Sequence, residues 1–170
     1  MSATGSPPPP GTCFVGLGGN IGDAAATLRA AFDELAALPG TRLLRASQLY
    51  RTPAWGMERQ PDFINAVAML DTRLAPQSLL EHLLAIECRH GRVREDGQRW
   101  GPRTLDLDLL LYGDAVTDQP GLHVPHPQMH LRAFVLRPLV EIAPDAIIPG
   151  VGPAAAALEA LADDGIRPLQ

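Results

Sequence analysis

Asp106 and Asp108 lie two positions apart in the segment TLDLDLLLY (104–112). In it Leu105, Leu107, Leu109 and Leu111 alternate with Asp106, Asp108, Leu110 and Tyr112, the period of a β-strand. Residues i and i+2 of a strand project to one side, ~6.5–7 Å apart along the backbone. Two carboxylates held that close repel unless a cation sits between them. Mg²⁺ with phosphate oxygens meets that need, because it takes one or two protein carboxylates and draws its other ligands from water and substrate. A solvent-facing edge of an amphipathic strand would show the same pattern, so the neighbouring residues have to decide.

Those neighbours are arginines. The preceding stretch, RHGRVREDGQRWGPR (89–103), holds five of the 14 arginines and carries +3 in a chain whose net charge is −5. Glycines and a proline interrupt it, so it is no regular charged helix face. Guanidinium groups grip phosphate in a bidentate fork and stay charged when desolvated. Cations and carboxylates converging in so short a span read as a phosphoryl-transfer site, where metal and arginines together neutralise nucleotide phosphates. The glycines suit a loop that opens and closes over its substrate.

Composition removes several other chemistries. No lysine occurs anywhere, which excludes a Walker A loop, a Schiff-base lysine and a kinase-type strand lysine. The acidic balance disfavours a dedicated duplex-DNA binder. Cys13 and Cys88 cannot form a disulfide framework or a four-thiolate zinc site, and both read as buried, reduced thiols. No run of 18 apolar residues exists to span a membrane, and the proline-rich residues 1–11 lack the apolar centre of a signal peptide. The expectation is a disordered tail (1–11) before a single domain (12–170), in the cytoplasm. With 46% hydrophobic residues that domain can bury roughly 70% of the surface its unfolded chain exposes.

Weaker signals surround the acids and arginines. GLGGN (16–20), after the first strand, permits close backbone approach without completing a dinucleotide fingerprint. His123, His126 and His130 are close in sequence, but prolines flank His126 and no cysteine is near, so ligand contact by His126 is a better reading than zinc. Trp55, Phe63, Trp100 and Phe134 are scarce aromatics that could stack on a flat ligand.

The elements that must position these residues follow from periodicity and punctuation. TCFVGL (12–17) suits a buried strand, and Asp23 can cap a helix facing inward through Leu28, Phe32 and Leu35. TRLLRASQLYR (41–51) and FINAVAML (63–70) read as strands, joined by the long proline-rich loop 52–62. Pro76 opens a second helix lined by Leu79, Leu80, Leu83 and Ile86 and closed by Gly91. Residues 131–142 predict a helix broken near Pro138, and an alanine-rich helix follows Pro153. The order β-α-β-β-α-β plus a helical tail predicts an α+β, ferredoxin-like sandwich, its helices on one face of a mainly antiparallel sheet.

At the level of whole segments, RWGPRTLDLDLLLYG (99–113) resembles the signature of the 6-hydroxymethyl-7,8-dihydropterin pyrophosphokinase family. FVGLGGNIGD (14–23), SQLYRTPAWG (47–56), QPDFINAV (60–67) and VPHPQMHLRAFVLRPLVEIAPD (124–145) resemble its other blocks in the family's order. The resemblance implies an enzyme of folate biosynthesis. It would pass the β,γ-diphosphate of ATP to the pterin's hydroxymethyl oxygen and release AMP, with two Mg²⁺. By position, Asp106 and Asp108 match the metal-binding aspartates, and Arg92 and Arg103 match arginines of the catalytic loop. Arg94 and Arg99 match ATP contacts, as do Glu87, His126 and Arg132, and Trp100 matches a tryptophan that closes over both ligands. Thr52, Pro53, Trp55, Phe63, Asn65 and Phe134 match the pterin pocket, Phe63 and Phe134 as stacking plates and Asn65 as a hydrogen-bonding amide. Leu84 stands where the family often has a glutamine, and Phe63 where it often has tyrosine. The expected partners are the two small-molecule substrates, with no nucleic acid and no membrane, and the expected state is a monomer.

Two other classes compete. A polymerase-β-type nucleotidyltransferase also pairs a Gly-Gly turn with D-x-D on a strand, but there the two motifs lie close together, whereas Gly19 and Asp106 are far apart here. A single-stranded RNA-binding module would need solvent-facing aromatics on central strands, where LDLDLLLY offers acids.

Overall fold

The first apolar run forms a strand two residues longer than its apolar part: β1 spans Thr12–Gly19, so Gly16 and Gly18 lie within the strand and not in the turn after it. A computed structural model describes residues 11–53, 61–91, 104–162 and 165–169. Helix α1 (Ala24–Ala36) opens on Asp23, whose side chain accepts the Ala26 N–H at 3.1 Å and so satisfies one of the donors a helix start leaves free. It buries Leu28, Ala31, Phe32 and Leu35. Helix α2 (Pro76–Arg89) has its proline in the first turn, and Gly91 follows it at φ +84°, donating to the Cys88 carbonyl at 3.0 Å. Leu79, Leu83 and Ile86 are buried, with Leu80 half-buried beside them.

The expected strand over 41–51 is two, β2 (Thr41–Ala46) and β3 (Tyr50–Thr52). Both pair with β4 (Phe63–Thr72), β3 along residues 63–65 and β2 along 68–72, while β1 occupies the opposite edge of β4. Ser47 makes the break: its N–H donates to the Val67 carbonyl and its hydroxyl accepts the Val67 N–H, each at 2.9 Å. A side chain thus takes over one rung of the ladder. With β5 (Asp106–Tyr112) beside β1, the antiparallel sheet runs β10-β3-β4-β1-β5, where β10 is Arg167–Pro168.

After β5 come a hairpin of β6 (Thr117–Gln119) and β7 (Leu122–Val124), a 3₁₀ turn (Met129–Leu131) and helix α3 (Ala133–Ile142). A second small hairpin of β8 (Ile147–Ile148) and β9 (Gly152–Pro153) leads into α4 (Ala154–Glu159). The hairpins carry no strong strand pattern in the sequence.

The α+β sandwich with its antiparallel sheet is as expected, but the helices do not keep to one face. α1 and α2 pack on Cys13, Val15, Leu17, Leu107 and Leu109, whereas α3 and α4 pack on Phe14, Val67, Leu110 and Leu111 on the other side. The reason is visible in β1 and β4, whose consecutive positions are both apolar and need cover on both faces. Leu110 and Leu111 enter the same cluster while Tyr112 packs back on the first, because the β1–β5 register shifts between Phe14 and Val15. Helix α3 runs through Pro138 without a break, with Val135, Leu136, Leu139 and Ile142 buried around it. Of the two thiols only Cys13 is buried; Cys88 is exposed on α2, and its neighbour Glu87 is buried instead.

Candidate active site

The half of the second face that α3 and α4 leave open is floored by four strands. Asp106 and Asp108 of β5 stand in register with Gly18 and Gly16 of β1. Gly18 is in turn the partner of Asn65 on β4, and β3 lies beyond, with Thr52 opposite Phe63. Register partners share a face, so the site is a row Asp106–Gly18–Asn65–Tyr50, flanked on one side by Asp108–Gly16–Val67 and on the other by Phe63 and Thr52. At a strand spacing of ~4.8 Å, the backbone of Asp106 is roughly 10 Å from that of Asn65. Between them β1 contributes no side chain.

Each end of the row is fixed by the fold. Asn65 and Thr52 are buried, and the Asn65 Nδ2 donates to Thr52 Oγ1 at 2.9 Å. Asn20, at the end of β1, is buried and donates through Nδ2 to the Pro61 carbonyl at 3.1 Å, setting where the chain enters β4. Asp106 and Asp108 are half-buried. Between them in sequence, Leu107 points to the opposite side and its N–H donates at 2.7 Å to Oε2 of Glu87, which is 1% exposed. The resemblance assigned Glu87 to nucleotide; in the fold its carboxylate holds the outer edge of the acid-bearing strand. Leu84, one turn earlier on α2, is exposed.

His126, Arg132 and Phe134 stand over the row. The His126 N–H donates to the Leu110 carbonyl at 2.9 Å, which ties the loop to β5. Its Nδ1 accepts the Gln128 N–H at 3.1 Å, so the neutral ring presents Nε2–H as a donor. Arg132 donates to Gln128 Oε1 at 3.1 Å and lies 5.8 Å from the centre of the Phe134 ring, a cation–π distance. Phe134 itself is half-buried between the α3 cluster and a smaller one of Tyr50, Ala133 and Ile166. Phe63 and Pro53 are half-buried at the Asn65 end. Trp55, Arg92, Arg94, Arg99, Trp100 and Arg103 lie outside the described residues.

The His126 imidazole is pushed down to about 4, by burial first and then by the Arg132 guanidinium, with Asp106 opposing. It is therefore uncharged at neutral pH. An unfolded imidazole protonates near 6.5, so the unfolded chain binds more protons than the folded one between about 4 and 6.5. Stability is lost as pH falls through that window. His126→Gln is expected to flatten this limb of a plot of Tm against pH. An unchanged limb would show that His126 is not a source of it.

The family model described as 7,8-dihydro-6-hydroxymethylpterin-pyrophosphokinase matches residues 14–144. The chain belongs to this family. The Pseudomonas aeruginosa pyrophosphokinase is 51% identical over 136 residues, covering 80% of this chain and 83% of its own. The Haemophilus influenzae enzyme is 44% identical over 138 residues, covering 81% and 85%. Both are named 2-amino-4-hydroxy-6-hydroxymethyldihydropteridine pyrophosphokinase. Among solved structures, wild-type Plasmodium falciparum HPPK-DHPS with pteroate superposes at a TM-score of 0.69 with 12% identity, over 88% of this chain and 44% of that one. An HPPK-DHPS in complex with substrates gives 0.65 at 12% identity, over 89% and 43%. The chain spans less than half of those solved chains, and the likeness establishes the fold.

A divalent cation fits the carboxylate end of the row. Hard oxygen donors project from one face of β5 beside the glycines of β1, and Mg²⁺ needs no third protein ligand when phosphate supplies the rest. Among the described residues no group of three His, Cys, Asp or Glu forms a closed metal cage. Among them, too, no helix is long and apolar enough to cross a membrane.

Proposed function

We propose that this chain transfers the β,γ-diphosphate of ATP to the hydroxymethyl oxygen of 6-hydroxymethyl-7,8-dihydropterin, a step of tetrahydrofolate biosynthesis. The bond from that oxygen to the β-phosphorus forms, the bond to the α,β-bridging oxygen breaks, and AMP leaves with its electron pair while the hydroxyl proton passes to solvent. The observation that carries the reading is the Gly16–Gly18 strip of β1, which adds no side chain of its own between the carboxylates on one side and the Asn65–Thr52 pair on the other. Polyphosphate and heterocycle can then lie side by side on one sheet face, the reacting oxygen and phosphorus meeting above the strip. Positioning of this kind, together with electrostatic stabilisation, is what phosphoryl transfer asks of a protein.

The residues divide the work accordingly. Asn65 and Thr52 would bind the pterin edge, and Phe63, Phe134, Pro53 and Trp55 its faces. Neutral His126 would donate Nε2–H to a phosphate oxygen, and Arg132, Arg94 and Arg99 would add fixed positive charge. Arg92 and Arg103 would meet the charge that shifts among phosphate oxygens at the transition state. Glu87 would serve the nucleotide end by holding β5. Trp100 would cover both ligands. Two Mg²⁺ held by Asp106 and Asp108 would supply charge neutralisation along the polyphosphate. A single catalytic domain over residues 12–170, acting as a cytoplasmic monomer without nucleic acid, completes the reading, and the net charge of −5 supports its last part.

Product analysis tests it directly. AMP should appear from ATP only when the pterin alcohol is present. Pyrophosphate as the released product would instead favour a nucleotidyltransferase, and the absence of any turnover a binding module.

The stacking plates give a second test. Phe134→Ala should weaken pterin binding by roughly 1–3 kcal/mol through lost apolar contact and stacking, with ATP affinity changed much less. Equal weakening of both ligands in titration calorimetry would make Phe134 a core residue only.

A further inference from the structure

The Gly18 position, which the pattern GLGGN marks only as a place of close approach, has a definite neighbour. A Cβ built there would stand 2.9 Å from Oδ1 of Asn65, closer than real Cβ atoms come to any heavy atom. At Gly16, two residues earlier, the nearest atoms are Leu110 methyls at 3.5 Å, an ordinary contact. The constraint therefore belongs to Gly18 and to the amide. That amide is held from its other end: it is buried, and its Nδ2 is engaged by Thr52 Oγ1 at 2.9 Å. A methyl at 18 could be accommodated only by turning the carboxamide, which breaks the Thr52 bond.

We propose that Gly18 is a positioning residue for the pterin substrate. It leaves room for the one carboxamide orientation in which Asn65 gives Nδ2 to Thr52 and keeps Oδ1 over the glycine strip, where a heterocycle's N–H can reach it. A buried amide turned away from this orientation would present the wrong group to the substrate edge, and a mismatched polar contact in a buried pocket is costly. The inference rests on the reading that Asn65 belongs to the pterin pocket.

Gly18→Ala tests it, because the backbone at 18 is not in the left-handed region and alanine itself is permitted there. The variant should raise the pterin Kd about tenfold or more while the Kd for a non-hydrolysable ATP analogue stays within about twofold. The decisive comparison is made in an Asn65→Ala background, where the clash has no partner. There Gly18→Ala should add less than about twofold to the pterin Kd and leave Tm unchanged, since coupling of this kind disappears when the partner is removed. If the single variant does not fold, the same background still decides: the double variant should then fold with the Tm of Asn65→Ala alone. A Gly18→Ala effect that persists in full without the Asn65 side chain, on Kd or on Tm, overturns the proposal. Should Asn65→Ala by itself leave pterin binding intact, the pocket reading fails, while the Tm coupling continues to report on the Gly18–Asn65 contact.

Discussion

Asp106→Ala and Asp108→Ala should each lower turnover by roughly a thousandfold or more, with little change in Tm. The two carboxylates share one face of β5 and look across Gly18 and Gly16, so either change removes an oxygen donor from a site with few to spare. Both side chains are half-buried, and neither is a member of the apolar clusters. Deleting one of two like charges also relieves repulsion, which can raise the stability of the unliganded protein. Turnover at saturating Mg²⁺ and ATP, measured beside thermal unfolding, separates the possibilities. Parallel losses of activity and Tm would return the pair to the role of a solvated strand edge.

Glu87 should give the next largest effect, and of a different kind. Its carboxylate is buried and accepts the N–H of Leu107, the residue between the aspartates. Glu87→Ala leaves that amide without its acceptor on an edge strand, at a cost of about 1–3 kcal/mol in stability. With β5 loosened on its outer side, turnover should fall too. Glu87→Gln keeps an oxygen at the same reach and is expected to recover most of both losses. A Glu87 that met nucleotide through its charge would behave otherwise. Both variants would then raise the KM for ATP, and neither would move Tm much.

The legible parts of this molecule are those where one local signal was enough. Asp23 at the start of α1, Pro76 and Gly91 at the ends of α2, and the alternation around Asp106 and Asp108 all carry their geometry within a few residues. The site row was legible as a set of residue types and through a family resemblance. Its order across the sheet was not, because register between β5, β1 and β4 is a long-range property. Ser47 shows why β2 and β3 could not be separated in advance: only the distant Val67 backbone turns its hydroxyl into a ladder partner. Pro138 misled in the opposite direction, since the packing of α3 on Phe14, Leu110 and Leu111 outweighs one missing backbone donor. The glycines of GLGGN read as a turn because the apolar run stops at Leu17, yet the strand continues to Gly19, and at Gly18 a Cβ would meet the Asn65 amide.

β4 runs without interruption from Phe63 to Thr72; Phe63 and Asn65 lie on the face of the proposed pocket, Ile64 in the opposite core, and Val67, Ala68 and Leu70 are fully buried in the two cores. Asn65 cannot detach from the sheet without unpairing a strand bonded to β1 along one side and to β3 and β2 along the other. The amide proposed to read the substrate should therefore belong to the most slowly opening part of the molecule, where backbone amides are expected to exchange with solvent only on global unfolding. His126 sits on irregular chain, its N–H donating to the Leu110 carbonyl of β5, and Arg132 stands at the start of α3 with its guanidinium held by Gln128, so neither is built into the sheet ladder. On the proposed reading, recognition of the heterocycle is inherited from the stability of the whole fold, while the phosphate contacts of His126 and Arg132 come from chain outside the sheet.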